Sequence, residues 1–246
     1  MQAYWSEQVA LVTGSSRGIG REIALRFYTL GAKVAINYHQ SQQKADELLK
    51  ASDSNRLKIY RADVGNEEDV HSMVEKIERE LGSVTILVNN AGITRDNLLM
   101  MMTAEEWRSV LATHLDGAFY CTRAVLSGML ANRHGRIINI SSVSGVKGTA
   151  GQTNYSTAKA GLIGLTKSLS REIGRKNITC NALVLGLIET EMTEKVDSEV
   201  LAQYKTLTAL KRFGKTGDVA DMVEFLSSPK AGYITGQVHV VDGGIL

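Results

Sequence analysis

The chain has 246 residues, a length that one α/β domain with a sizeable core commonly takes. With 43% hydrophobic and 22% charged residues it has the balance of an ordinary globular protein, and its net charge of +2 is too small to point to nucleic acid or a membrane surface. No apolar run reaches the roughly 18 residues that span a bilayer, and the start lacks a signal-peptide pattern, so a cytoplasmic protein is expected. In chain order, residues 8–12 come first: Val9, Ala10, Leu11 and Val12 in a row read as a short buried strand. The turn Thr13-Gly14-Ser15-Ser16-Arg17-Gly18-Ile19-Gly20 follows. Ile19, Ile23, Phe27 and Leu30 then fall at helical spacing, with Gly31 as the stop.

Strand, glycine-rich turn and helix form a phosphate cradle. Glycines let the backbone approach a pyrophosphate, and the helix N-terminus offers free amide hydrogens. The three-residue gap between Gly14 and Gly18 differs from the common G-x-G-x-x-G spacing, but the flanking strand and helix supply the required context. Further strands are predicted at 33–37, 57–61, 85–88, 136–140, 179–184 and 237–241, with helical stretches between them. Asn66 before Glu67-Glu68-Asp69 marks a helix start, and Thr103 with Glu106 fits a capping box. This alternation predicts a single domain over residues 1–246: a Rossmann-type, doubly wound parallel sheet of about seven strands with helices on both faces. The glycine turn, Asn90-Ala91-Gly92, Ser142 and Gly186 all follow predicted strands and should converge on one sheet edge. Residues 187–207 are the least regular and would make a substrate lid. Cys121 and Cys180 lack metal-ligand spacing and read as reduced core thiols; no metal is expected.

The chemistry concentrates in Ser142, Tyr155 and Lys159. Tyr155 and Lys159 are four apart, so on a helix they share one face. An ammonium beside a phenol lowers the tyrosine pKa, and such a tyrosine can trade a proton with a carbonyl or alcohol oxygen. A serine on a preceding loop can bond the same oxygen. Ser141 and Ser144 compete for that role. Taken alone, a tyrosine and lysine at this spacing are as readily an exposed helix face.

The chain resembles the short-chain dehydrogenase/reductase family from end to end. The carriers are Thr13-Gly14-x-x-x-Gly18-Ile19-Gly20, Asn89-Asn90-Ala91-Gly92, Ser142 and Tyr155-x-x-x-Lys159, in the family's order. Within it the chain is most similar to 3-oxoacyl-[acyl carrier protein] reductases, through residues 90–99, Gly151-Gln152-Thr153-Asn154-Tyr155 and Tyr233-Ile234-Thr235-Gly236-Gln237. It also resembles their relatives in polyene-type clusters through Leu187-Ile188-Glu189-Thr190 and the ending Asp242-Gly243-Gly244-Ile245-Leu246. The resemblance implies NADPH-dependent reduction of a 3-oxoacyl thioester on acyl carrier protein or CoA, in fatty-acid or polyene-type biosynthesis. Alternatives are the same hydride chemistry on a steroid, sugar or hydroxyacyl-CoA, and a weakly active NADP-binding partner subunit.

The family likeness assigns Ser142, which it selects over its neighbours, Tyr155 and Lys159 to catalysis. It places His114 where relatives carry a catalytic asparagine, and Leu185 where they carry proline. A histidine there can still donate and accept, so activity is expected, falling at acidic pH as His114 takes a proton. The competing reading has His114 packed away from the site. The cofactor is expected against Gly14, Ser16, Arg17, Gly18, Ile19, Gly20, Asn37, Asp63, Val64, Asn90, Ala91, Gly92, Tyr155, Lys159, Ile188 and Thr190. Residues 36–40 hold no carboxylate for a ribose 2′-hydroxyl, and Arg17, with His39, suits a 2′-phosphate; NADP is therefore expected over NAD. Asp63 reads equally as a turn residue opening the next helix. Arg133, Arg136, Arg171, Arg175 and Lys176 are expected near the site's mouth, with Arg133 and Lys176 as docking residues for an acidic carrier, or else as a solvated rim. Met100-Met101-Met102 reads as core or interface packing, or as an acyl tunnel. A homotetramer is implied, built on the long helices at 103–130 and 155–175 and on the last strand; a heteromer with a sister subunit stays open.

Overall fold

The computed structural model describes residues 2–50, 52, 55–190 and 205–246. They form one seven-stranded parallel sheet in the order β3-β2-β1-β4-β5-β6-β7. The strands are β1 (Val9–Val12), β2 (Lys33–Tyr38), β3 (Leu57–Arg61), β4 (Ile86–Asn89), β5 (Gly135–Ser142), β6 (Ile178–Leu185) and β7 (Val238–Val241). The order reverses between β1 and β4, which opens a crevice at their carboxyl ends.

Central strands are apolar on both faces because helices cover both. On one face α1 (Gln2–Ser6), α2 (Gly18–Leu30), α3 (Gln42–Lys50) and a helix at Thr216–Ser227 bury Trp5, Ile23, Phe27, Leu48, Val219 and Val223 against the sheet. On the other, α4 (Glu67–Glu80), α6 (Gly117–Asn132) and α8 (Thr153–Ile173) bury Val70, Ile77, Cys121, Val125, Met129 and Leu169. Asn66 caps α4 by accepting from Glu68 and Asp69, and Gly31 ends α2 at φ 110°.

Three local features depart from the pattern reading. The predicted helix at 103–130 is interrupted: α5 (Ala104–Leu111), which opens on the Thr103–Glu106 capping box, passes through a π turn at Ala112–Asp116 before α6. β5 and β6 run further than predicted, to Ser142 and Leu185, because the polar serines are themselves paired in the ladder. Two short helices, α1 and α7 (Ser144–Lys147), carry too little periodicity to read. Residues 191–204, most of the expected lid, lie outside the described residues.

Candidate active site

The turn after β1 is built from its neighbours. Gly14 sits at φ 60°, and a Cβ there would lie 2.8 Å from Ala91 Cα, so only glycine fits. Thr13 Oγ1 accepts from the Asn90 and Ala91 amides at 2.9 and 3.0 Å. Asn90 Nδ2 donates to the Thr13 and Gly14 carbonyls at 2.8 and 3.2 Å. Asn37 is buried under the turn: its Oδ1 accepts from the Gly14 amide at 3.0 Å and its Nδ2 donates to Ala62 O at 3.2 Å. Asn37 therefore shapes the cradle, and its side chain is not open to a ligand. Val64 is likewise buried, packed where Gly117 has no side chain. Ser16 is buried in the turn.

Arg17 is exposed in extended conformation at the head of α2, whose first turn carries no acid and has no side-chain cap. The amide hydrogens of Gly18, Ile19 and Gly20 thus face the crevice as an anion cradle. Thr190 lies over Gly18, its Cγ2 3.8 Å from where a Cβ would stand. Ile188 is buried and paired with Gly214. Asp63 Oδ1 accepts from the Gly65 amide at 2.9 Å and its Oδ2 stands 3.9 Å from His39 Nδ1. Both residues line a cleft of about 330 Å³ between β3 and α4, with Arg61 and Lys76.

At the other half of the crevice, Ser142 ends β5 and Tyr155 and Lys159 open α8. Ser142 Oγ accepts from the Ser144 amide at 3.2 Å and acts on the Tyr155 phenol, lowering its pKa. The two competing serines are engaged elsewhere: Ser141 donates to Lys159 O at 2.8 Å and Ser144 to Gln152 Oε1 at 3.1 Å. Lys159 is 4% exposed; its Nζ donates to Ile140 O at 2.7 Å and stands 5.5 Å from the Tyr155 ring centre. Burial pushes its ammonium down to about 7. The tyrosine moves opposite to the sequence expectation. Burial raises the Tyr155 phenol above its usual value, the hydrogen bond from Ser142 opposes this, and the Asp96 carboxylate adds to it. Lys159 turns its amino group to Ile140 O, 5.5 Å from the tyrosine ring centre, and does not offset the effect of burial on the phenol.

His114 sits in the π turn, buried, with its ring edge-on to Tyr155 at 5.1 Å and 89°. It faces the site and does not pack away from it. Nε2 lies 2.8 Å from Ile93 O and 3.1 Å from Ile93 N, while Nδ1 is buried without a partner. A Cβ on Gly92 would collide with the ring, so the two residues are sterically coupled. Burial first, and the Lys159 charge second, push the imidazole down to about 3. His114 is thus neutral through the neutral and mildly acidic range, which removes it as the source of an acidic limb. Leu185 is absorbed into β6, paired with Ser142 and Val241.

Asn154, which the sequence reading passed over, is fully buried. Its Nδ2 donates to Arg95 O and Glu106 O at 2.9 and 3.1 Å, and its Oδ1 accepts from the Tyr155 amide at 2.8 Å. A polar residue at the first turn of a helix was the available signal.

The basic residues do not gather at the mouth within one chain. Arg136 is 3% exposed at the start of β5, bonded to the Gly135 and Asn177 carbonyls. Arg133, Arg175 and Lys176 follow the C-terminal ends of α6 and α8. A rise of 1.5 Å per residue sets Lys176 about 30 Å from Tyr155. Met100 and Met101 are exposed, so they are not core. Among the described residues no three His, Cys, Asp or Glu side chains are grouped to hold a metal, and no helix is long and apolar enough to cross a membrane.

A family model described as enoyl-(acyl carrier protein) reductase matches residues 14–246. The chain is 47% identical over 239 residues to the 3-oxoacyl-[acyl-carrier-protein] reductase FabG of Staphylococcus aureus, covering 96% of this chain and 97% of that one. It is 45% identical over 238 residues to the reductase of the same name from Vibrio cholerae, with 97% of each covered. Over 242 residues it is 44% identical to the 3-oxoacyl-[acyl-carrier-protein] reductase of Synechocystis sp., again with 97% of each covered.

Proposed function

The chain belongs to the short-chain dehydrogenase/reductase family and is an oxidoreductase using a nicotinamide cofactor, and we propose that it reduces a 3-oxoacyl thioester to the 3-hydroxyacyl thioester. The carrier is acyl carrier protein or CoA, the cofactor NADPH, and the setting fatty-acid or polyene-type biosynthesis. The observation that carries the reading is buried Lys159 with its Nζ 5.5 Å from the Tyr155 ring centre, at the head of the helix that faces Ser142 at the end of β5.

The cradle fits the cofactor: the Gly14–Ala91 approach leaves no side chain in the crevice, and the α2 amides face it. Gly14, Ser16, Gly18, Ile19, Gly20, Asn90, Ala91 and Gly92 hold its phosphates and sugar by backbone, with Asn37 and Val64 supporting from beneath. Arg17 and His39 take a 2′-phosphate, which no carboxylate at the end of β2 repels. Asp63, Ile188 and Thr190 contact its two ring ends, and Lys159 its nicotinamide ribose. Bound there, it supplies the hydride that goes to the β-carbonyl carbon.

The protein's own residues handle the oxygen. A raised phenol pKa keeps Tyr155 protonated at neutral pH, which is the form reduction consumes. As the carbonyl oxygen gains charge, Tyr155 delivers its proton to it, and Ser142, its Oγ held by the Ser144 amide, donates its hydrogen bond. Lys159, titrating near 7, stands behind the tyrosine to restore the proton. His114 packs the tyrosine ring and does not itself titrate near neutrality.

Docking at Arg133 and Lys176 serves the crevice of a second copy, since both lie at the far end of helices that begin at the site. The assembly is a homotetramer.

NADPH oxidation with acetoacetyl thioesters tests the reading, with crotonyl thioester, steroid and sugar controls and with NADH in parallel. Turnover of the 3-oxo thioester with NADPH preferred is expected. Turnover of the crotonyl ester alone would mark an enoyl reductase. Tight NADPH binding without turnover on the whole panel would mark a partner subunit.

A further inference from the structure

Tyr155 stands in a closed circuit of contacts. Its ring meets His114 edge-on, with the ring centres 5.1 Å apart. His114 Nε2 lies 2.8 Å from Ile93 O and 3.1 Å from Ile93 N, in the loop between β4 and α5. Two residues further along that loop, Arg95 O accepts from Asn154 Nδ2 at 2.9 Å. Asn154 Oδ1 accepts from the Tyr155 amide at 2.8 Å, which closes the circuit. Asn154 Nδ2 also donates to Glu106 O in α5 at 3.1 Å, so one side chain ties the loop, α5 and the head of α8 together. Asn154 is fully buried, and both ends of its amide are engaged. A separate backbone bond, from the Asn97 amide to Gly151 O at 2.8 Å, joins the same loop to the same helix head without it.

We infer that Asn154 is a positioning residue for Tyr155: it holds the loop that sets His114 against the ring, and with it the aim of the phenol at the substrate oxygen. The inference rests on the assignment of Tyr155 as proton donor. Burial alone does not call for an amide here, because apolar packing fills a helix head without the cost of desolvating polar groups. What the place demands is a donor toward two carbonyls and an acceptor toward the Tyr155 amide, and asparagine supplies both. The rest of the site is held by other bonds. Lys159 Nζ donates to Ile140 O, and Asn90 Nδ2 to the carbonyls of the glycine turn. Loss of the Asn154 amide should therefore disturb the aim of Tyr155 and leave the cofactor cradle as it is. A proton donor displaced by about 1 Å loses on the order of a hundredfold in rate.

The test separates aim from stability. For an acetoacetyl thioester, kcat is measured per NADPH-binding site, so that unfolded protein does not count. The proteins are the parent, Asn154→Ala, Asn154→Asp and, as a remote destabilised control, Trp5→Ala. Asn154→Ala should lose on the order of a hundredfold in kcat with NADPH affinity unchanged, while Trp5→Ala keeps the parent kcat. Asn154→Asp carries a second signature. Ionised, its carboxylate repels the Arg95 and Glu106 carbonyls; neutral, its hydroxyl donates to one of them, and burial favours the neutral acid. Its kcat relative to the parent should therefore rise as pH falls from 8 to 6, and it carries the test if Asn154→Ala does not fold. An Asn154→Ala protein that keeps the parent kcat per site, however low it melts, overturns the inference. So does a loss of NADPH affinity as large as the loss of kcat, or an Asn154→Asp ratio that does not rise toward acid. Turnover by the parent reads the assignment of Tyr155 itself: an inactive parent removes that assignment and the inference with it, whereas an active parent with unaffected variants removes the inference alone.

Discussion

Lys159 shows how much stability the site gives up. A lysine that is 4% exposed, with one carbonyl partner and a pKa of about 7, is held against its preference for water. Its ordinary value is 10.5, so between about 7 and 10.5 the unfolded chain binds more protons than the folded one. Folding is therefore weakened as pH falls through that window, and the penalty is complete below about 7. Lys159→Met should melt several degrees above the parent, with a larger gain at pH 6 than at pH 10, and should be inactive; thermal melts at the two pH values check this. A lower melting temperature at pH 6 would contradict it. For His114 the expectation reverses the sequence reading. Because the imidazole stays neutral down to about 3, His114→Asn should give the same acidic limb as the parent in a pH–rate profile. A limb that disappears in the variant would restore the titrating histidine.

At the scale of elements, what could be read was what repeats. Val9–Val12 and Ile178–Leu185 are mostly apolar and buried along their whole length, and their strands stand where those apolar runs put them. The caps at Asn66 and Thr103 are local chemistry and were legible for that reason. The π turn was not, since it comes from packing: Gly117 meets Val64, and Leu115 fills the space above Gly161. Nor was the buried amide chain in which Asn89 Nδ2 donates to Thr122 Oγ1 and Asn139 Oδ1, and Asn139 to Thr166, tying α6 and α8 to the sheet. Polar residues inside apolar runs find such partners only in three dimensions. The shift at Tyr155 was misread because spacing gives the neighbour and not the direction its amino group takes. The short helix α1 was also invisible, yet it seats Trp5 against Phe27 at 5.8 Å, 1% exposed. Trp5→Ala should cost about 3 kcal/mol or more in denaturant unfolding without changing the KM for cofactor. A loss under about 1 kcal/mol would mean that α1 is an ornament to the core.

For the whole molecule, a parallel sheet with α6 and α8 along one face leaves Phe119 and Tyr233 exposed, and Val240 exposed on the edge strand β7. These surfaces suit the proposed pairing of four copies, and a carrier protein docked as proposed at Arg133 and Lys176 would need a second copy to reach a crevice. Light scattering at micromolar concentration should give four times the chain mass; a stable monomer would contradict the assembly and the docking route together. The central claim concerns one proton. The most direct measurement is the rate of NADPH oxidation with an acetoacetyl thioester in Tyr155→Phe and the parent side by side, with NADPH affinity taken by fluorescence on both. The parent should turn over, and Tyr155→Phe should lose about a thousandfold or more in kcat while binding NADPH as before. A Tyr155→Phe protein that keeps most of the parent's rate would contradict the account.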